Sequence, residues 1–175
     1  MKGTVHNDWD HRPRLFGEEI NIIYDGKCNV CKFEIEGLSK RDQEVNAVPY
    51  KIKITNLEDP LYDPNSPQNG NVTYGEGMAA IHAVTHDGKV LNGVEVFRLA
   101  YKLVGLGWLW ELTKWPILEP MVKFGYDVFA KYRTQLTRGS SMEALIQAYH
   151  EKRTSLEQQQ RGDCQSCQRE EERPI

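Results

Sequence analysis

Four cysteines stand in two pairs of identical spacing, Cys28 with Cys31 and Cys164 with Cys167. Two thiols three residues apart suit two kinds of chemistry. On a helix the spacing brings both sulfurs to one side, so one thiolate can attack a disulfide and the other can release the product. In a compact knuckle the same spacing lets both sulfurs grip one zinc ion. The surroundings of the first pair favour redox use. Ile20-Asn21-Ile22-Ile23-Tyr24 is a short β-branched run halted by Asp25-Gly26, and from Cys28 onward Cys31, Ile35 and Leu38 recur at helical spacing. A helix starting at Cys28 aims its free N–H groups and the positive end of its dipole at that sulfur, and Lys27 adds a cation. Both lower a thiol pKa from about 8.5 towards working pH. The expectation is that Cys28 attacks and Cys31 resolves, with no bound cofactor and no metal required.

Asp25 lies three residues before Cys28. By residue preference it forms the turn or caps the helix. It could also accept the Cys31 proton as that sulfur attacks a mixed disulfide, although a carboxylate too near Cys28 would disfavour its thiolate. The tail pair Cys164-Gln165-Ser166-Cys167 has no strand before it, and shuttle, metal clip and idle motif remain open for it. His82 falls in a strand candidate and reads as a core or edge histidine unless it shares a face with the CxxC. Arg133 and Arg138 read as surface or helix-end residues.

The elements that must position these residues follow from periodicity. Val48, Tyr50, Ile52 and Ile54 alternate as one face of a second strand, with Pro49 arguing for an edge or for its start. Residues 55–77, rich in Pro, Asn, Asp and Gly, read as loop with one short helical turn. Met78 to Thr85 and Lys89 to Leu91 flank His86-Asp87-Gly88, a hairpin signal. Val94, Phe97, Tyr101 and Val104 mark a helix stopped by Gly105 and Gly107. Leu118, Met121, Gly125, Val128 and Tyr132 form a further helical stripe. Ser140 and Glu143 resemble a capping box for a last helix carrying Met142, Leu145, Ile146 and Tyr149.

The resulting class is α/β, a mixed sheet in the order β-α-β-β-β-α flanked by helices, with extra C-terminal helices: the thioredoxin-like layout. The expected organisation is an N-terminal arm over 1–17, a domain over 18–150, and a polar, unordered tail over 151–175 holding the second CxxC.

Composition narrows the function classes. The 175 residues are 39% hydrophobic and 27% charged, with a net charge of −3, which suits a soluble globular chain and gives no general attraction to nucleic acid. Leu99 to Leu118 is apolar but interrupted by Lys102, Glu111, Lys114 and Pro116, so it reads as amphipathic helix; membrane contact through Trp108, Trp110 and Trp115 is not expected without a dense basic face. The opening residues hold no apolar run of signal-peptide type, so the expected location is cytoplasmic. Cysteine pairs in that setting read as redox or metal sites.

Tyr24-Asp25-Gly26-Lys27-Cys28-Asn29-Val30-Cys31 resembles the YDGxCxxC signature of the DCC family of predicted thiol–disulfide oxidoreductases. Two later stretches are also similar: Ile81-His82-Ala83-Val84 running into Asp87-Gly88-Lys89-Val90 and Gly93, and Ala130-Lys131-Tyr132-Arg133. The resemblance spans Ile20 to Arg138. It implies a thioredoxin-like fold and protein-disulfide reductase activity, with Asp25, Cys28 and Cys31 as the motif residues. The partners it implies are a disulfide-containing protein or small thiol substrate and an external reductant. No proline lies between Gln68 and Trp115, so the cis-proline that thioredoxins place before the third strand has no counterpart, Met78 and Ala79 taking its ground. Two other uses of the fold stay open: zinc held by both CxxC pairs, and a non-catalytic interaction module.

Overall fold

The computed structural model describes the backbone of residues 13–112 and 118–171, and the side chains of all of these except 111, 112, 157 and 160–171. The elements run β1 (Ile20–Tyr24), α1 (Asn29–Val45), β2 (Ile52–Asn56), α2 (Tyr74–Ala79), β3 (His82–Thr85), β4 (Val90–Asn92), α3 (Val94–Leu103), α4 (Gly107–Leu112), α5 (Leu118–Arg138) and α6 (Met142–Glu171), with a 3₁₀ turn at Pro67–Asn69. The sheet order is β2-β1-β3-β4. β1 is parallel to β2, with Ile20 opposite Ile52, and antiparallel to β3, with Ile23 opposite His82; β3 and β4 form the antiparallel hairpin. This is the mixed, helix-flanked sheet that the thioredoxin-like reading requires, with α5 and α6 added after it.

All five residues of β1 are buried, as a strand covered on both faces demands, and its polar member Asn21 donates to Gln68 O and Asn69 Oδ1. On one face Ile20, Ile22 and Tyr24 pack with Ile35 and Leu38 of α1 and Val96 and Ala100 of α3. On the other, Ile23 and Val84 pack with Leu57, Tyr62, Val72, Tyr74 and Met78, and Met142, Leu145, Ile146 and Tyr149 of α6 lie over them. Tyr74 and Tyr149 stack with ring centroids 3.8 Å apart.

Several elements depart from the sequence reading, each for a visible reason. β2 starts at Ile52, not Val48: Val48 is 77% exposed, and the strand is entered where the buried Asp42 carboxylate accepts from Lys51 N (2.8 Å) and Ile52 N (2.9 Å). Met78 and Ala79 belong to α2, whose start is fixed by the reciprocal Thr73 and Glu76 capping box, so β3 begins only at His82. The 55–77 connection is not a loose insert, because Tyr62, Val72 and Tyr74 are buried beneath α6. The cap of α6 is Ser141, whose Oγ accepts from Ala144 N at 3.3 Å, while Ser140 Oγ donates to Arg138 O.

The stripe read on α5 faces outward. Leu118, Met121, Val128 and Tyr132 are exposed, and the helix buries Ala130, Arg133 and Thr134 instead. A helix apolar on two sides gives periodicity no means of choosing the inner one. α6 stays helical to Glu171, through the segment whose composition predicts no order; the side chains of Cys164 and Cys167 lie outside the described residues. Among the described residues no helix is long and apolar enough to cross a membrane.

Candidate active site

The site is assembled at the C-terminal end of β1. Tyr24 O accepts from Leu57 N, holding the strand end against the segment after β2. The turn that follows is tied three times: Lys27 N donates to Asp25 Oδ1 (2.9 Å), Cys28 N to Asp25 O (3.1 Å), and Gly26 N to Asn56 Oδ1 (3.1 Å). A Cβ on Gly26 would run into the Asn56 side-chain amide, so a larger residue here has to displace the group that accepts from Gly26 N. The chain then enters α1 with Cys28 as N-cap, φ −83° and ψ 104°, and Cys28 Sγ accepts from Cys31 N at 3.3 Å. The sulfur thus sits where the unpaired N–H groups of the first turn and the positive end of the helix dipole favour an anion. Both cysteines are free.

Their surroundings differ. Cys28 is fully buried, whereas Cys31 is partly exposed. Burial pushes the Cys31 thiol up to about 12; the Arg133 guanidinium pulls against that shift, and the hydrogen bond and charge of Cys28 add to it. Cys31 is therefore protonated at neutral pH, and the helix terminus lies at Cys28.

Two arginines of α5 close over the motif: Arg133, read from the sequence as a surface or helix-end residue, lies inside, while Arg138 does stand at the helix end and turns its side chain inward. Arg133 is buried: Nη1 donates to Cys31 Sγ at 3.0 Å, and Nη2 donates to Gly77 O (3.1 Å) and Met78 O (2.8 Å). Arg138 Nη1 lies 3.3 Å from Asp25 Oδ2 and 2.6 Å from Glu58 Oε1. Asp25 is fully buried, and Lys27 Nζ completes the network at 2.7 Å from Glu58 Oε2. For Glu58, burial acts to raise the pKa, but hydrogen bonds from Lys27, Tyr74 and Arg138 outweigh it and hold the carboxyl below its ordinary value. Glu58 was not singled out from the sequence, since an acid in a Pro- and Asp-rich connection carries no periodic signal. For Arg133 the available signal was its place in the Ala130-Lys131-Tyr132-Arg133 stretch of the family resemblance.

His82 does not join the site. It alternates with Ala83, which packs on the α1 side, so His82 faces the other way, with Nδ1 2.9 Å from Ala80 O. Ala80 and Ile81, not Met78 and Ala79, are the residues before β3. Among the described residues no group of three His, Cys, Asp or Glu side chains could hold a metal ion.

A strand, a tied turn and a helix-capping CxxC define a thioredoxin-like dithiol protein. Residues 22–139 match the DCC1-like thiol-disulfide oxidoreductase family, and the chain belongs to that family. The membership supports a thiol–disulfide redox role. The chain is 36% identical over 136 residues to an uncharacterized chloroplastic protein of Arabidopsis thaliana, the match covering 78% of this chain and 61% of that protein. The chain thus spans about three fifths of that relative's length. No solved structure matches it at a significant level.

Proposed function

We propose that the protein is a thiol–disulfide oxidoreductase of the protein-disulfide reductase type, with Cys28 attacking and Cys31 resolving. The observation that carries the proposal is Cys28 Sγ capping α1 at 3.3 Å from Cys31 N. The Cys28 thiolate attacks one sulfur of a substrate disulfide; the S–S bond breaks, and the departing thiolate takes a proton. Cys31, deprotonated, then attacks Cys28 Sγ, closing the protein disulfide and releasing the second substrate thiol. The substrate gains two electrons and the CxxC loses two. An external thiol reductant restores the pair, and no bound cofactor or metal takes part.

Asp25 is assigned as the carboxylate that takes the Cys31 proton. Its Oδ1 also holds Lys27 N, so Asp25→Asn separates the duties: the amide oxygen keeps the turn bond but takes no proton. The substrate is a disulfide-bearing protein or a small thiol compound. The proposed location is cytoplasmic, where thiol pools sustain the reducing direction.

The test is reduction of hydroxyethyl disulfide and of a disulfide-bonded protein with dithiothreitol as reductant. Cys28→Ser is expected to abolish turnover, and Cys31→Ser to leave a mixed disulfide on Cys28 that mass spectrometry detects. Full turnover by the Cys28→Ser variant would sink the proposal.

A further inference from the structure

We infer that the cavity against Cys31 seats an apolar side chain flanking the reacting cysteine of a protein substrate, so that the protein selects disulfides in hydrophobic sequence surroundings. This rests on the oxidoreductase reading above and adds a substrate class to it.

The cavity holds about 360 Å³, and Cys31 is part of its wall together with Ile81, Phe97, Trp110, Tyr126 and Phe129. That volume lies at the low end of the range of roughly 300–1,000 Å³ for small-molecule sites, so it suits one or two side chains and not an extended cofactor. Because Cys31, which must reach the substrate–Cys28 disulfide to resolve it, forms one wall, this space lies beside the groups that flank that disulfide.

The charged groups of the wall are already engaged. The Glu34 carboxylate accepts from Tyr101 OH at 2.6 Å. Arg133 spends Nη1 on Cys31 and Nη2 on Gly77 O and Met78 O. An acidic flanking residue would lose its water beside the Glu34 carboxylate and gain no partner, whereas an apolar one loses nothing. Arg133 Nε is buried and has no acceptor among the described residues, a donor suited to the backbone carbonyl of an incoming peptide. A peptide carbonyl admitted beside Arg133 would satisfy it and a hydrocarbon chain would not, which favours a protein segment as the occupant.

The apolar surface continues outward. Val30 and Phe33, both in the first turns of α1 beside Cys31, also line the cavity yet are 52% and 82% exposed. An exposed phenylalanine at the lip of a cavity lined by the resolving sulfur extends the contact a substrate would make.

The experiment compares two peptides of equal length and charge, each dimerised through one disulfide. One has Leu and Phe beside its cysteine, the other Ser and Gly. Both are reduced by the full chain with dithiothreitol, alongside hydroxyethyl disulfide. The ratio of kcat/KM between the peptides is read within each protein, so a general change in activity cancels. In the unaltered protein the apolar peptide is expected to be favoured by about tenfold or more. Val122→Trp, from the cavity wall on α5, is expected to bring the ratio close to one. Phe33→Ser, at a position exposed enough to spare the fold, is expected to lower it by roughly threefold, in line with loss of one partial apolar contact. A ratio near one in the unaltered protein, or a ratio unmoved in both variants, overturns the inference. If hydroxyethyl disulfide is turned over while the ratio is one, only the cavity inference falls. If no disulfide is reduced, the oxidoreductase reading falls and takes this one with it.

Discussion

Arg133 donates to Cys31 Sγ at 3.0 Å from a position only 3% exposed, so its charge reaches the sulfur through little solvent. It opposes the burial that holds the Cys31 thiol up at about 12. Arg133→Gln therefore makes Cys31 still harder to ionise. Loss of a charged hydrogen bond, about 1.5–3 kcal/mol, corresponds to roughly tenfold or more slower resolution. The check is the steady-state level of mixed disulfide on Cys28 during turnover, which should rise in Arg133→Gln and not in an exposed control such as Lys131→Gln. A second prediction concerns pH. The folded-state pKa of Glu58 is depressed, so the stability it contributes is complete above its unfolded value of about 4.3 and drains away as pH falls through the lowered folded value. Urea midpoints of the protein and of Glu58→Gln should differ at pH 6 and converge well below pH 4.

At the scale of elements, Asp42 shows how one side chain sets a boundary. It sits on α1, is 1% exposed, and accepts Lys51 N, Ile52 N and Asn46 Nδ2, so the start of β2 is bound to the preceding helix. Asp42→Ala orphans two backbone donors at the strand start, at about 1–3 kcal/mol for each buried group left unmade. Chemical denaturation should show that loss, and hydrogen exchange should show faster exchange at Lys51 and Ile52. The alternation Val48, Tyr50, Ile52, Ile54 was a true signal of β structure, but it did not carry the place where pairing begins. That place is decided by a carboxylate nine and ten residues earlier, through contacts periodicity does not encode. α2 was legible only as a possible turn, because Thr73 and Glu76 lie in a Gly- and Asn-rich stretch where no apolar period builds up.

At the scale of the whole molecule, the additions to the thioredoxin-like layout are part of the site. α5 crosses the CxxC with Arg133 on Cys31 and Arg138 between Asp25 and Glu58, and Cys28 has no exposed surface. The proposed attack by Cys28 requires this burial to open, and α5 is the element expected to shift. Arg138→Ala removes the tie between α5 and the β1 turn and leaves two buried carboxylates without that cation. It should destabilise the protein by about 3–5 kcal/mol while speeding alkylation of Cys28 at neutral pH. Iodoacetamide labelling read by peptide mass spectrometry checks the second effect, and equal labelling of Cys28 in both proteins would show that α5 does not gate it.

The strand, the Asp-Gly turn and the CxxC at a helix start were all determined locally, because the β-branched run, the turn residues and the helical period act within a few positions of one another. The hairpin and the helix after it were legible for the same reason. Only the tertiary structure decided that Arg133 and Arg138 return from more than a hundred residues away to the two ends of that motif, and that the apolar stripe of α5 is its outer face. Those outcomes depend on which of two apolar faces packs against the sheet, and that choice is set by the shape and charge of the surface α5 meets, not by its own sequence.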